Sequence, residues 1–230
     1  MLPVAYSEGF SPHPKLHFGL ALPTGGESFA EFLDADLSRP VDLEPLPALL
    51  SELLPVGIDV TAVGEIERSL GSLQESVVAT RWVLSLSDLT AGETTSAIDR
   101  VLAADSVMLE RVRKGTKSLD DVRGSIESAH RLDTGDVEVI LATGGRSLRP
   151  AEFVHCLSPD RDPIETMTRA LRTHQWIDAN GERIEPLPVS LGHDALRSGR
   201  IMLPIETAHL KRSFHDARST GVSPPDTVVA

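Results

Sequence analysis

Pro12 and Pro14, set one residue apart, do most to restrict how this chain can begin. Each locks its own φ and disfavours helix for the residue before it, so Ser11 and His13 are extended. With Gly9 upstream, residues 1–14 are expected to be extended or turn-like and to feed a strand over 15–22. Pro23-Thr24-Gly25-Gly26 turns the chain, and 28–37 alternates like a second strand, so the two read as a β-hairpin. Leucines at helical spacing mark a helix over 43–54, and 58–63 is a short strand.

The second half reads as a strand over 76–86, a helix over 94–104 and a strand over 107–113. The polar stretch 114–134 fits a helical turn or a loop with a short strand. A strand over 136–142 follows, then a helix opened by Arg149-Pro150, another over 163–174, and a hairpin over 176–187 around Asn180-Gly181. From 189 onward the periodicity fades into a Ser/Pro/Asp-rich segment.

This order predicts an α+β protein of two ferredoxin-like (split βαβ) units. The first, 1–64, lacks its opening strand and helix; the second, 73–188, carries a C-terminal hairpin; 189–230 is an extended or disordered tail. Because the sequence starts at Met1 directly before the Gly/Pro turn, a start placed too late is the preferred account of the gap. The other account is a sheet covered by the tail or by a partner strand.

With a net charge of -12, the average surface repels polyanions, so nucleic-acid binding would need a segregated basic patch. Basic residues gather at Arg111, Arg113, Lys114 and Lys117, and again over 209–218. The single cysteine, Cys156, rules out an internal disulfide and any cysteine-rich zinc or iron–sulfur site in this chain; it reads as a buried structural thiol on a helix. No apolar run is long enough to span a membrane, and residues 1–6 do not resemble a secretory signal, so a cytoplasmic location without membrane association is expected.

The chemistry concentrates at the first turn. His13, Lys15 and His17 share one face if the strand extends back to His13. Two imidazoles and an ammonium suit a phosphate; the two histidines with Glu8 or Glu31 would suit a metal, but Lys15 between them favours an anion. Phe10 is a plug for the sheet or a stacking platform for a base, the plug being preferred. Arg111, Arg113 and Lys114 could extend the same positive face.

Tyr6–Lys15, Ala21–Gly25 and Glu27–Asp34 together resemble the radical-SAM-linked domain family, uncharacterised proteins fused behind a radical SAM and cobalamin-binding region or encoded beside one. Arg149-Pro150 and Arg172-Thr173-His174-Gln175 extend the likeness more weakly. Members usually open with a basic strand-helix segment that this chain lacks. The resemblance implies a separate radical SAM protein as partner. S-adenosylmethionine and an iron–sulfur cluster would reside there, because this chain has no CxxxCxxC and is expected to carry no cofactor. An accessory module binding RNA or another anion is therefore the leading expectation. The alternatives are an RNA-modifying or RNA-cleaving enzyme with His13 as general acid/base and Lys15 stabilising anionic charge, or a pure interaction module.

Overall fold

The computed structural model describes residues 2–66, 72–179 and 181–186, with the backbone alone for 200–206 and for Arg113. In the first part, β1 (Leu16–Phe18), β2 (Glu27–Ser28) and β3 (Glu31–Asp36) lead to helix α1 (Leu46–Leu53), then β4 (Asp59–Val60) and β5 (Gly64–Glu65). Next come a helical turn α2 (Leu73–Ser76), β6 (Val77–Leu86), α3 (Ala91–Ala103) and the hairpin β7 (Met108–Arg113) and β8 (Thr116–Asp121). β9 (Ile126–Arg131), β10 (Val137–Ala142), α4 (Pro150–Leu157), the short α5 (Pro163–Thr166), β11 (Met167–Ala179) and β12 (Glu182–Ile184) follow, with β13 (Arg200–Glu206) last. The architecture is mixed α+β.

The larger sheet runs β12-β11-β6-β10-β9, every neighbouring pair antiparallel. β6 and β10 alternate buried and half-buried residues, the pattern of a sheet with one face on a core. That core packs Trp82, Leu84 and Val139 against Ile98 and Val101 of α3 and Phe153 of α4. Thr90 and Glu93 open α3 with a reciprocal cap, each side chain bonding the other's backbone N–H. β7 and β8 stand apart as a two-stranded sheet.

The smaller sheet runs β1-β3-β13-β4, with β5 also on β13. Its core joins Ala35, Leu37, Leu46 and Val60. The expected hairpin forms, with Leu16 opposite Ala35 and Phe18 opposite Leu33. The central position between β3 and β4 is taken by β13, drawn from the segment expected to be an extended or disordered tail. The remainder of that segment, with Asn180 of the predicted turn and the basic residues of 209–218, lies outside the described residues.

Several expectations on element length need correction. The strand over 15–22 stops at Phe18, because the Leu20 backbone is bonded by side chains of β11 rather than by a neighbouring strand. The strand over 28–37 is divided: Glu27–Ser28 pairs in parallel with Leu171 and Arg172, and only Glu31–Asp36 belongs to the smaller sheet. The helix over 163–174 is confined to Pro163–Thr166. Ile164, Met167 and Leu171 keep a helical spacing, yet from Met167 the chain is strand, paired along β6 as far as Ile177; the unfilled edge of β6 outweighs local periodicity. Among the described residues no helix is long and apolar enough to cross a membrane.

Pro204 would be out of place inside a fully paired central strand. Phe32 and Asp36 direct their backbone groups toward β1, since Gly19 N–H donates to the Phe32 carbonyl and Asp36 N–H to that of Lys15. The odd-numbered residues of β3 therefore bond β13, through Ile201, Leu203 and Ile205. Position 204 faces the other way, between β4 (reached at Ile205) and β5 (reached at Met202), where the ladder needs no donor. Moving the proline by one residue, Leu203→Pro, deletes an N–H directed at β3. It is expected to destabilise the fold by roughly 1–3 kcal/mol in urea unfolding, with the fall in hydrogen-exchange protection concentrated in β3.

Candidate functional site

Residues 4–15 form an exposed arm folded back on itself. Tyr6 bridges Pro14, Ser7 N–H donates to the His13 carbonyl, and His13 N–H donates to Ser7 Oγ at 3.0 Å. Lys15 is clamped at its backbone between Ala5 and Asp36, which sets the arm beside the edge strand β1. Gly9 turns the tip at φ 132°, a conformation that suits glycine. His13, Lys15 and His17 are all exposed, and Phe10 is fully so. Phe10 is therefore not a plug for the sheet. The His13 ring makes no hydrogen bond to a described residue, and among the described residues no three His, Cys, Asp or Glu side chains gather closely enough to hold a metal.

Arg111 of β7 does not extend this face. Arg111 is 5% exposed and all five of its N–H donors are engaged. It holds Glu152 in a two-pronged pair, Nε to Oε1 at 3.0 Å and Nη2 to Oε2 at 2.8 Å. Nη1 reaches Asp120 at 3.3 Å, and the carbonyls of Arg146 and Ser147 accept the rest. Arg111 thus clamps the loop before α4 to β8. Lys114 sits at the exposed tip of the β7–β8 turn with φ 49°; the Arg113 side chain lies outside the described residues.

A second locus is not apparent from the sequence. Where the segment after β1, the middle of β6, β7 and the loop before α4 converge, a cavity of about 980 Å³ opens. Its lining includes Trp82, Arg111, Arg146, Arg149 and Arg172, whereas none of Phe10, His13, Lys15 or His17 reaches it. Arg172, on β11, is 1% exposed. Its guanidinium lies 4.9 Å from the centre of the Trp82 ring, and Nη1 donates to the Leu20 carbonyl at 2.6 Å. Three residues on, Gln175 donates to the Ala30 carbonyl and accepts from Leu20 N–H, so β11 holds both ends of the segment between β1 and β3. Gly19 fits closely at this join, because a Cβ there would stand 3.3 Å from Gln175 Oε1 and the amide would have to give slightly.

The one carboxylate paired with Arg172 among the described residues is that of Glu31, with Nε and Oε1 3.4 Å apart and neither atom hydrogen-bonded among those residues. Burial raises the Glu31 carboxyl above its ordinary pKa, against the pull of Arg172, and lowers that of Arg172, against the pull of Glu31. For both members the cost of burial outweighs the mutual attraction, so the pair incompletely offsets its own desolvation. Cys156, on α4, is half-buried where a buried thiol is expected, and burial pushes its thiol up to about 11.

These features define a mixed α+β protein with an exposed His/Lys arm and a separate arginine-lined cavity. The chain belongs to the family described as "Uncharacterized protein conserved in bacteria (DUF2344)", whose model matches residues 1–150. No curated protein and no solved structure matches it.

Glu31 has a raised folded-state pKa, so the folded protein binds more protons than the unfolded chain just above the ordinary carboxyl value of 4.5. Its contribution to stability is therefore greatest below that value and is lost as pH rises through the folded pKa. Urea midpoints across this window should show the decline in the parent protein and a flatter profile in Glu31→Gln.

Proposed function

We propose that this chain is an accessory module that binds RNA and works with a separate radical SAM protein, which would carry the S-adenosylmethionine and iron–sulfur cluster. The observation that carries the reading is the exposed arm: Phe10, His13, Lys15 and His17 project from one edge of a protein whose net charge is acidic. Cationic side chains track a phosphate backbone and an exposed ring stacks on an unpaired base, the two contributions that single-stranded RNA sites combine. A catalytic role for His13 has less support, since no second proton-transfer group among the described residues bonds its ring. The partner rests on the family resemblance of the same segment. The strand order β11-β6-β10-β9, with α3 following β6 and α4 following β10, supports a ferredoxin-like reading of this half, β7 and β8 being an insertion. β13, antiparallel to both neighbours, supports the same reading of the smaller sheet, in the position of a missing central strand.

Fluorescence anisotropy with a single-stranded RNA tests the reading. Joint His13→Ala and Lys15→Ala substitution should weaken binding ~10-fold at low salt and make the slope of log affinity against log salt shallower by about 0.7 for each phosphate no longer neutralised. Phe10→Ala should cost about 1–3 kcal/mol in affinity. Unchanged affinity in the His13/Lys15 double variant would remove the proposal.

A further inference from the structure

We propose that the arginine-lined cavity is a binding site for a nucleoside phosphate, separate from the exposed arm and independent of its role. Guanidinium donors not used by the described residues line the cavity. Arg111 is saturated by protein groups, but the other three cations are not. Among the described residues Arg146 commits only Nη1, to Ser118 Oγ at 3.0 Å and Asp120 Oδ2 at 2.8 Å, and it is half exposed. The Arg149 side chain donates to no described residue and is exposed at the rim. Arg172 commits Nη1 to a carbonyl and encloses Nε beside Glu31, while its Nη2 bonds no described residue. Guanidinium forks with free donors on converging walls match the oxygens of a phosphate.

Arg172 is itself incompletely compensated. A guanidinium this deeply buried is normally met by a hydrogen-bonded carboxylate, and a bound anion is one of the groups that can complete such an environment. An anion entering the cavity supplies the charge that Glu31 offsets only in part. The carboxylates that line the cavity are already committed, Glu152 to Arg111 and Glu110 to Lys117 at 2.8 Å. They therefore do not cancel Arg149.

Size and polarity fit the same ligand. About 980 Å³ is far more than a bare phosphate occupies and lies at the upper end of small-molecule sites. Leu20 and Leu22, both half-buried, give the cavity an apolar edge that suits a base or sugar while the phosphate faces the arginines. A free mononucleotide and the phosphorylated end of an RNA present the same chemistry to such a site.

Isothermal titration calorimetry on the full chain tests the assignment. The probes are adenosine monophosphate, sodium phosphate, and one short oligoribonucleotide with and without a terminal phosphate. Adenosine monophosphate should bind ~10-fold or more tightly than inorganic phosphate, as the apolar edge requires. Arg149→Ala and Arg146→Ala should each weaken it several-fold, with melting curves verifying that these variants remain folded. Arg149→Glu, at an exposed position, should abolish binding, while joint His13→Ala and Lys15→Ala should leave it unchanged. With the arm disabled by joint His13→Ala and Lys15→Ala substitution, tighter binding of the terminally phosphorylated oligoribonucleotide than of its unphosphorylated form or the mononucleotide would assign the site to an RNA end; the reverse order would assign it to a free nucleotide. Absence of binding by both the mononucleotide and the phosphorylated oligoribonucleotide, equal affinity for inorganic phosphate, or unaltered affinity in Arg149→Glu would each overturn the proposal.

Discussion

The burial of Arg172 is the constraint on which the join between the two sheets depends. From one position on β11 it stacks over Trp82 of β6, caps the Leu20 carbonyl and approaches Glu31 of β3, while its own carbonyl accepts from Phe29 N–H. The side chain is thus a physical link between the larger core and the first strands of the smaller sheet. Apolar contact continues the link through Ala30, Phe32, Leu73 and Val77, with Ile177 of β11 packed beside them. Few other residue types would serve: the planar, multiply donating guanidinium can face a ring and a carbonyl at once.

The protein's charge is distributed unevenly as a consequence. Its net charge of -12 belongs to the whole chain, yet arginines gather where the loop before α4 meets β7 and β8. Arg111 serves the architecture, tying Glu152 at the start of α4 to Asp120 of β8. With that clamp fixed, Arg146 and Arg149 are carried on a short, anchored segment. This is the arrangement a binding surface needs, with cationic tips on a loop whose ends are held.

Local pattern makes part of this legible. β6 and β10 alternate over enough residues to be read directly, and α1, α3 and α4 show themselves by apolar spacing. β8 and β9 are too polar for that, since β8 is largely exposed and only Ile126 and Ala129 of β9 are buried. β11 is hidden by a helical spacing that pairing with β6 overrides. The arm is readable because consecutive residues carry it. The cavity is not, because Trp82, Arg146 and Arg172 come from distant points and nothing local distinguishes a buried arginine from a solvated one. Arg111 shows the same limit in reverse: its basic neighbours in the chain suggest a positive face, and it is an enclosed tie.

The place of β13 has a consequence for how the smaller sheet comes to exist. β3 meets β13 through partners as far apart as Glu31 and Ile205, so the centre of this sheet closes a very long loop. The entropy of that closure grows only slowly with loop length, but the search it demands is long, and sheets of such high contact order assemble late. The larger sheet, whose pairings span shorter stretches of chain, can form first and present β2 and the ends of β1 and β3 as a template. Until the last strand arrives, the inner edge of β3 stays unpaired, which is the state of this molecule most open to pairing with another chain.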